Sequence, residues 1–183
     1  SGTLPIATPK PVPVRSSDIK LDKKSWTVSA FLENKEYKVG CMSGSMQGKF
    51  WPVSAAVANI IDEDSWTGWR AIDPLKPLSK SGNFVGQQTP GQWVTIDMKN
   101  TQSFHKVVLD NTWALYDFPQ SYEVYVSNNG NDWGKPVAKG TGKLGVTTII
   151  FPQITARYLK IVQTGTKDKP WSIFELDVYK TNI

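Results

Sequence analysis

The sequence predicts an all-β protein, an antiparallel β-sandwich preceded by a proline-rich extension. Three observations indicate this class. Seven short runs are rich in the β-branched and aromatic residues that favour strands. The connections between them are rich in turn-forming residues, and no stretch beyond residues 54–63 has a helical pattern. Many short strands joined in this way are typical of a sandwich.

The first 24 residues differ in composition from the rest of the chain. Pro5, Pro9, Pro11 and Pro13 block helix formation and favour an extended polyproline conformation. Residues 1–24 are therefore predicted to form a linker or tail. The β-sandwich domain is expected to begin near Ser25 and to occupy residues 25–183.

Within the domain, the predicted strands alternate in character along their length. In the fourth run, Tyr122, Val124 and Val126 fall on one face, and an Asn129-Gly130 turn follows the run. The predicted strands lie at 26–31, 93–98, 106–111, 121–127, 146–151, 157–163 and 174–179.

Two connections are long for a compact sandwich. They cover residues 32–52 and 70–92, and loops of this length are usually functional or mobile. Between them, residues 54–63 are predicted to form one or two helical turns.

The charge and composition exclude several classes of partner. The net charge is +5, but residues 1–24 alone contribute five basic and two acidic side chains, and the chain has only three arginines. A nucleic-acid partner is therefore not expected, since it needs a basic stripe on the folded part. No apolar run approaches the roughly 20 residues of a membrane span. Cys41 is the only cysteine, so an intrachain disulfide is impossible. The sequence is consistent with either a buried or an exposed thiol at this position.

The sequence offers little for catalysis, and the protein is predicted not to be an enzyme. His105, the single histidine, lies in a predicted strand and is interpreted as structural or as a surface imidazole. The stretch "GTGKLG" at 140–145 matches a dinucleotide motif, but a predicted strand follows it where that motif needs a helix. We interpret it as a hairpin loop.

The acidic stretch "NIIDEDSWT" allows two interpretations. Calcium prefers six to eight oxygen ligands, and Asp62 and Thr67 supply a carboxylate and a hydroxyl, while the carbonyls of Asn59 and Asp64 can turn inward. The alternative is a polar turn between apolar neighbours. The segment alone does not decide between them.

Seven motifs in order give a wider pattern. The chain resembles the discoidin domain, also called the coagulation factor V/VIII C-type domain, over about residues 25–180, and it looks most similar to bacterial members classed as carbohydrate-binding module family 32. The resemblance implies a β-sandwich jelly roll. The motifs are "WTVSA", "VANIIDEDSWTGW", "PGQWVTIDM", "FHKVVLD", "DFPQSYEVYVSNNGNDW", "ARYLKIVQTGT" and "WSIFELDVY".

The same resemblance implies a structural calcium ion that ties an early loop to the last strand. One departure is Glu63, where family members usually have glycine, because glutamate adopts a positive φ only at a cost. The implied ligands are the carbonyls of Asn59, Asp64, Thr67 and Phe174, the carboxylates of Asp62 and Glu175, and the Thr67 hydroxyl.

In this family ligands bind at variable loops at one end of the sandwich, so residue chemistry must identify the contacts. Sugars stack on aromatic rings and form hydrogen bonds with polar side chains. The other tryptophans, at 26, 51, 66, 69, 93 and 133, are assigned mainly to the core or to strand ends. The candidate ligand contacts are Arg70, Asn83, Trp113, Tyr116, Asp117, Lys169 and Trp171.

These expectations describe a monomeric, non-catalytic carbohydrate-binding module that tethers a larger protein, secreted, on the cell surface or periplasmic, to a glycan or polysaccharide. The alternative is a protein or cell-surface adhesion module with no sugar ligand. A third possibility is binding to anionic phospholipid through Trp113, Leu115 and Phe118 without insertion of a membrane span.

Overall fold

The computed structural model describes residues 17–31, 38–41, 51–54, 56–71 and 86–182. Strands dominate this part of the chain, which confirms the predicted class, and the helical elements are 3-10 turns at Val57–Ile61 and Thr112–Ala114. Neither turn approaches the length or apolarity of a membrane span in the described residues. The strands are β1 (Ile19–Lys20), β2 (Thr27–Ala30), β3 (Lys38–Cys41), β4 (Trp51–Ser54), β5 (Trp69–Arg70), β6 (Gln92–Asp110), β7 (Tyr122–Ser127), β8 (Ala138–Gly140), β9 (Val146–Gln163), β10 (Ser172–Ile173) and β11 (Glu175–Lys180).

The antiparallel pair of β6 and β9 forms the longest ladder. Two separate strands were predicted in each of these regions, and the structure joins each pair into one. Residues 102–104 of β6 and 154–156 of β9, which lie between the predicted strands, pair with one another across the ladder, as Ser103 does with Thr155. Because each connecting segment finds its hydrogen-bonding partner in the other, neither leaves the sheet as a loop.

This ladder bends in its middle. The register shifts between Asp97 and Gln102 and again between Phe104 and Lys106. Before the bend β6 is flanked by β2, and after it by β11, so the two halves belong to opposite layers of the sandwich. Pro152 lies in the second irregularity, where a missing N–H removes no ladder hydrogen bond.

The bend brings both ends of the ladder to the same end of the molecule. Segment 111–121 leaves the ladder after Asp110 and reaches β7, whose Tyr122 pairs with Gln163 at the other end. Segment 164–174 returns from Gln163 to β11, whose Glu175 pairs with Asp110. Both segments therefore cross from one layer to the other over the open end of the bent ladder. We call 111–121 the first crossing segment and 164–174 the second crossing segment.

Apolar side chains from both layers form one core. Val94 and Ile96 from the first half of β6, and Val107 and Leu109 from the second half, are fully buried. Aromatic rings fill the end of the sandwich below the crossing segments, where Trp69 packs edge-to-face against Trp171 with ring centroids 5.3 Å apart. Edge-to-face contacts of this kind add to the stabilisation from area burial.

The fold extends N-terminal of Ser25. Strand β1 pairs with β11, and Leu21 behind it is buried. Asp18 lies 3.1 Å from Nε2 of His105 and also pairs with Lys106 on β6, so the single histidine has the structural position expected of it. The proline-rich stretch lies outside the described residues.

Two further local predictions can be compared with the structure. The 3-10 turn at Val57–Ile61 confirms a single helical turn within residues 54–63. Segment 141–145 is a loop as expected, but it is not a hairpin. It joins β8 to β9, and these strands both pair with β7 rather than with each other.

The carboxylate of Asp97 stabilises the bend of the ladder. It accepts hydrogen bonds from Arg157 Nε at 2.9 Å and Nη2 at 3.0 Å, and from the backbone N–H of Lys99 at 2.8 Å. Lys99 has a φ of 66°, a left-handed conformation that is costly for lysine and that the Asp97 bond supports. The Arg157 guanidinium holds the pKa of Asp97 well below its usual range.

Replacement of Asp97 by asparagine is expected to lower the free energy of unfolding by about 1–2 kcal/mol at pH 7, since Arg157 is partly exposed and screened by solvent. Because the pKa of Asp97 is depressed in the folded state, its contribution is complete above the unfolded pKa of about 3.9 and is lost as the pH falls towards the folded value. Urea unfolding of both proteins at pH 7, 4 and 2.5 measures this. A constant difference at all three values would contradict the prediction.

Candidate functional site

Three segments meet at the open end of the ladder, and Gln88 connects them. Its amide Nε2 donates to the carbonyls of Phe118 at 2.9 Å and Pro170 at 3.2 Å, and its Oε1 accepts from the Gln120 N–H at 2.8 Å. Its backbone pairs with Lys167 in an isolated bridge. The side chain is fully buried, so it holds the crossing segments at a fixed spacing. Nothing in its sequence context distinguishes it from other loop glutamines.

Two of the predicted ligand contacts lie below the surface. Trp171 is fully buried against Trp69, so its indole offers no face to a ligand. The carboxylate of Asp117 accepts a hydrogen bond from the Ser172 hydroxyl at 2.7 Å and lies 3.1 Å from Arg70 Nη2. Burial raises the pKa of Asp117, and Arg70 opposes the rise.

Arg70 has a second bond that explains its position. Its Nε donates to the Ser172 hydroxyl at 3.0 Å, so the Arg70–Ser172–Asp117 chain ties β5, β10 and the first crossing segment together. The side chain of Arg70 is 24% exposed. Asp117 and Trp171 lie beneath this part of the surface and support it. Asn83 lies outside the described residues.

Exposed aromatic side chains cover the first crossing segment. Trp113 is 49% exposed and Tyr116 is 63% exposed. Trp66 was predicted to lie in the core or at a strand end, and this prediction is wrong. It is 65% exposed and stacks on Trp113 with ring centroids 4.0 Å apart and an interplanar angle of 27°. We call Trp66, Trp113 and Tyr116 the aromatic platform.

The misassignment of Trp66 has a local cause. Trp66 and Trp69 are three residues apart, and the chain between them contains Gly68, where a Cβ atom would lie only 2.9 Å from the Phe174 ring. The backbone passes close to Phe174 here, so Trp69 enters the core while Trp66 stays on the outside. The polar sequence "DEDSW" before it is the signal that could have indicated exposure.

Lysines lie beside the platform. Lys167 donates from Nζ to the Tyr116 carbonyl at 2.6 Å and lies over the Phe118 ring, 3.4 Å from its centroid. Desolvation lowers the pKa of Lys167. Lys169 is exposed on the same segment. The second crossing segment therefore supplies positive charge next to the aromatic rings of the first.

Residues 59–67, which we call the acidic loop, contain four of the predicted calcium ligands, and these form hydrogen bonds within the loop or with its neighbour Gly68. Asp62 accepts from the Asp64 N–H at 2.9 Å and from the Thr67 hydroxyl at 2.6 Å, and Asn59 donates to the Gly68 carbonyl at 3.2 Å. Thr67 also bonds the Asp64 carbonyl at 3.0 Å. These are the contacts of a closed polar turn.

The carboxylate of Glu175 and the carbonyl of Phe174 are the remaining predicted ligands. The Glu175 carboxylate accepts a hydrogen bond from Lys23 Nζ, and the Phe174 N–H donates to the Asp110 carbonyl. Among the described residues, no group of three or more acidic, histidine or cysteine side chains could hold a metal ion. The residues in this arrangement do not fit a calcium ion, since the carboxylates expected to share it are engaged separately. Calcium stays a prediction.

Replacement of Gln88 by alanine is expected to lower the free energy of unfolding by about 2–4 kcal/mol, because three backbone groups, one buried and two partly buried, lose a partner. The adjacent Gln87→Ala is the matched control, since Gln87 is exposed and takes part only through its backbone carbonyl. Urea unfolding followed by tryptophan fluorescence measures both. Equal effects of the two substitutions would contradict the role assigned to Gln88.

Comparison with known proteins gives one family and several similar structures. The model of the F5/8 type C domain matches residues 42–176. The family 32 carbohydrate-binding module of NanJ from C. perfringens, solved in complex with galactose, is 19% identical, with a TM-score of 0.62 over 90% of this chain and 100% of that chain. Chitosan-binding module 2 of a chitosanase/glucanase from Paenibacillus sp. IK-5, in complex with chitotriose, is 18% identical, with a TM-score of 0.58 over 84% of this chain and 95% of that chain.

A curated relative is galactose oxidase of Gibberella zeae, with 28% identity over an alignment of 179 positions. The match covers 85% of this chain and 26% of that protein. The chain thus spans about a quarter of the length of the curated relatives it matches. The similar structures share the curled antiparallel sandwich described above. Because the family model covers most of the chain, the protein belongs to the F5/8 type C, or discoidin, domain family.

Proposed function

We propose that the chain is a non-catalytic carbohydrate-binding module and that the aromatic platform is its contact surface. The observation that carries the proposal is the stacked pair of Trp66 and Trp113, two large apolar rings left in solvent at the loop end of the sandwich. Burying either ring in the core would be worth several kcal/mol to the fold, so its exposure calls for a ligand.

The chemistry of the platform suits a sugar. The C–H face of a pyranose ring packs on an indole face, and the flat, rigid rings lose little entropy on binding. A sugar that stacks on Trp113 leaves the outer face of Trp66 and the ring of Tyr116 for contact with further sugar units. The surface is shallow, so a single site is expected to have an affinity of roughly 0.1–1 mM, or about −4 to −5.5 kcal/mol.

Polar groups at the edge of the platform supply hydrogen bonds. Lys169 is exposed on the second crossing segment, and the side chain of Arg70, which is 24% exposed, lies beside Asp117. Charged donors to sugar hydroxyls orient the ring more strongly than neutral donors. In this proposal Trp66 and the first crossing segment supply the stacking surface, and Arg70 and the second crossing segment supply the cations.

The comparisons support a carbohydrate as the class of ligand. The similar structures are modules solved with galactose, with chitotriose and, for a module of AlyQ, with 4,5-unsaturated mannuronic acid. These three sugars differ in charge and configuration. They are therefore the first probes for this chain, and the basic groups beside the platform favour including the acidic one.

The proposed module acts by proximity within a larger protein. The curated relatives are several times longer than this chain, which supports a tethered arrangement. Weak binding becomes useful when a linker keeps the attached partner close to the glycan. A secreted or cell-surface location, or a periplasmic one, follows from that role, and the module itself is proposed to be monomeric.

A glycan array with the whole chain, followed by titration of the hits against intrinsic tryptophan fluorescence, tests the proposal. Trp113→Ala and Trp66→Ala are each expected to weaken binding at least about tenfold, since each removes a stacking surface worth roughly 1.4 kcal/mol. The control is Ile150→Ala, at a side chain 66% exposed on the outer face of β9. It should bind as the unaltered protein does.

Other outcomes would identify the alternatives. Binding to anionic vesicles that weakens with salt would favour a lipid surface, to which Trp113 and Leu115 would contribute. Binding to a cell-surface protein that free saccharide does not compete would favour adhesion. Sugar binding that both tryptophan variants retain would place the site elsewhere.

A further inference from the structure

The ammonium of Lys23 is enclosed in the protein. The Lys23 side chain has no solvent-exposed surface, although lysine is among the residues least often buried. Its Nζ donates to a carboxylate oxygen of Glu175, to Asp177 Oδ1 at 2.8 Å and to the Leu176 carbonyl at 3.0 Å. All three N–H donors of the ammonium are therefore satisfied by oxygens of one strand, β11.

A third carboxylate completes the surroundings. Glu63 Oε1 lies 3.5 Å from Lys23 Nζ, while its Oε2 accepts from Lys20 Nζ at 2.6 Å. Glu63 belongs to the acidic loop and adopts a φ of 64°, so the backbone accepts an unfavourable conformation where this side chain reaches the lysines. We call Lys20, Lys23, Glu63, Glu175 and Asp177 the lysine–carboxylate cluster.

The cluster joins three parts of the chain. Lys23 lies in the turn between β1 and β2, whose position is set by hydrogen bonds from the Leu21 N–H to the Val178 carbonyl and from the Trp26 N–H to the Lys23 carbonyl. Glu63 follows the 3-10 turn, and Glu175 begins β11. The cluster thus ties an early loop to the last strand, as the predicted calcium ion was expected to do.

We propose that the ammonium of Lys23 is the internal cation of this domain, taking the place of a structural calcium ion beside Glu175. The cluster contains two ammonium groups and three carboxyl groups, so its acids need no divalent cation for approximate neutrality. A divalent ion bound by the Glu175 carboxylate would lie within a few ångströms of a buried ammonium. Repulsion between like charges at that distance is strong away from water.

Calcium dependence of the unaltered protein is the first test. A calcium site half-saturated at 10 µM would raise the melting temperature by about 5–10 °C at 1 mM calcium, relative to chelator. If Lys23 is the internal cation, melting curves in 1 mM calcium and in chelator at equal ionic strength coincide within about 1 °C. A calcium-dependent rise of 3 °C or more overturns the proposal.

The second test removes the ammonium. Lys23→Met leaves buried carboxylates without their cation, and the melting temperature is expected to fall by about 10 °C. Lys24→Met is the matched control, because it makes the same change of charge at an exposed neighbour and should change the melting temperature by less than about 2 °C. Equal effects of the two variants overturn the proposal. The calcium comparison on the unaltered protein decides the question if Lys23→Met does not fold.

Discussion

The antiparallel pairing of β6 with β9 joins the two layers of the sandwich. The two strands hydrogen-bond from Gln92 to Asp110, and the ladder bends where Asp97 binds Arg157 and the Lys99 backbone. The bend places the halves of one continuous ladder in opposite layers, so a single pair of strands contributes to both walls of the core. Any change that straightened the ladder would separate those walls and expose the apolar residues between them.

The same bend determines where function can reside. Both ends of the ladder lie at one end of the molecule, and segments 111–121 and 164–174 have to cross between the layers there. Gln88 is buried and forms hydrogen bonds with both segments, so it fixes the distance between them. A rigid support of this kind allows Trp113 and Tyr116 to remain exposed without the loops collapsing over them. Binding surfaces on loops commonly depend on such support from the scaffold beneath.

A buried charge is balanced near the start of β11. Glu175 is buried by its place in the sheet, and burial raises its pKa to about 7 while the Lys23 ammonium opposes the rise. A buried carboxylate requires a cation or a proton, and here a lysine from the other end of the chain supplies the cation. The N-terminal turn is thereby fixed to the last strand. The acidic loop contributes Trp66 to the aromatic platform and Glu63 to the lysine–carboxylate cluster.

The class of fold and the family can be predicted from the chain alone, because β-branched alternation and seven ordered motifs are local properties of the sequence. The segment that carries Trp113 and Tyr116 is indicated in the same way. The exposed position of Trp66 and the buried position of Trp171 follow from the folded structure, because both depend on how closely the backbone passes a neighbour. Likewise Lys23 belongs to an apparently polar turn in the sequence, and its contact with Glu175 joins residues 152 positions apart. Partners so distant are set by the bend and packing of the sheet, and no local pattern records them.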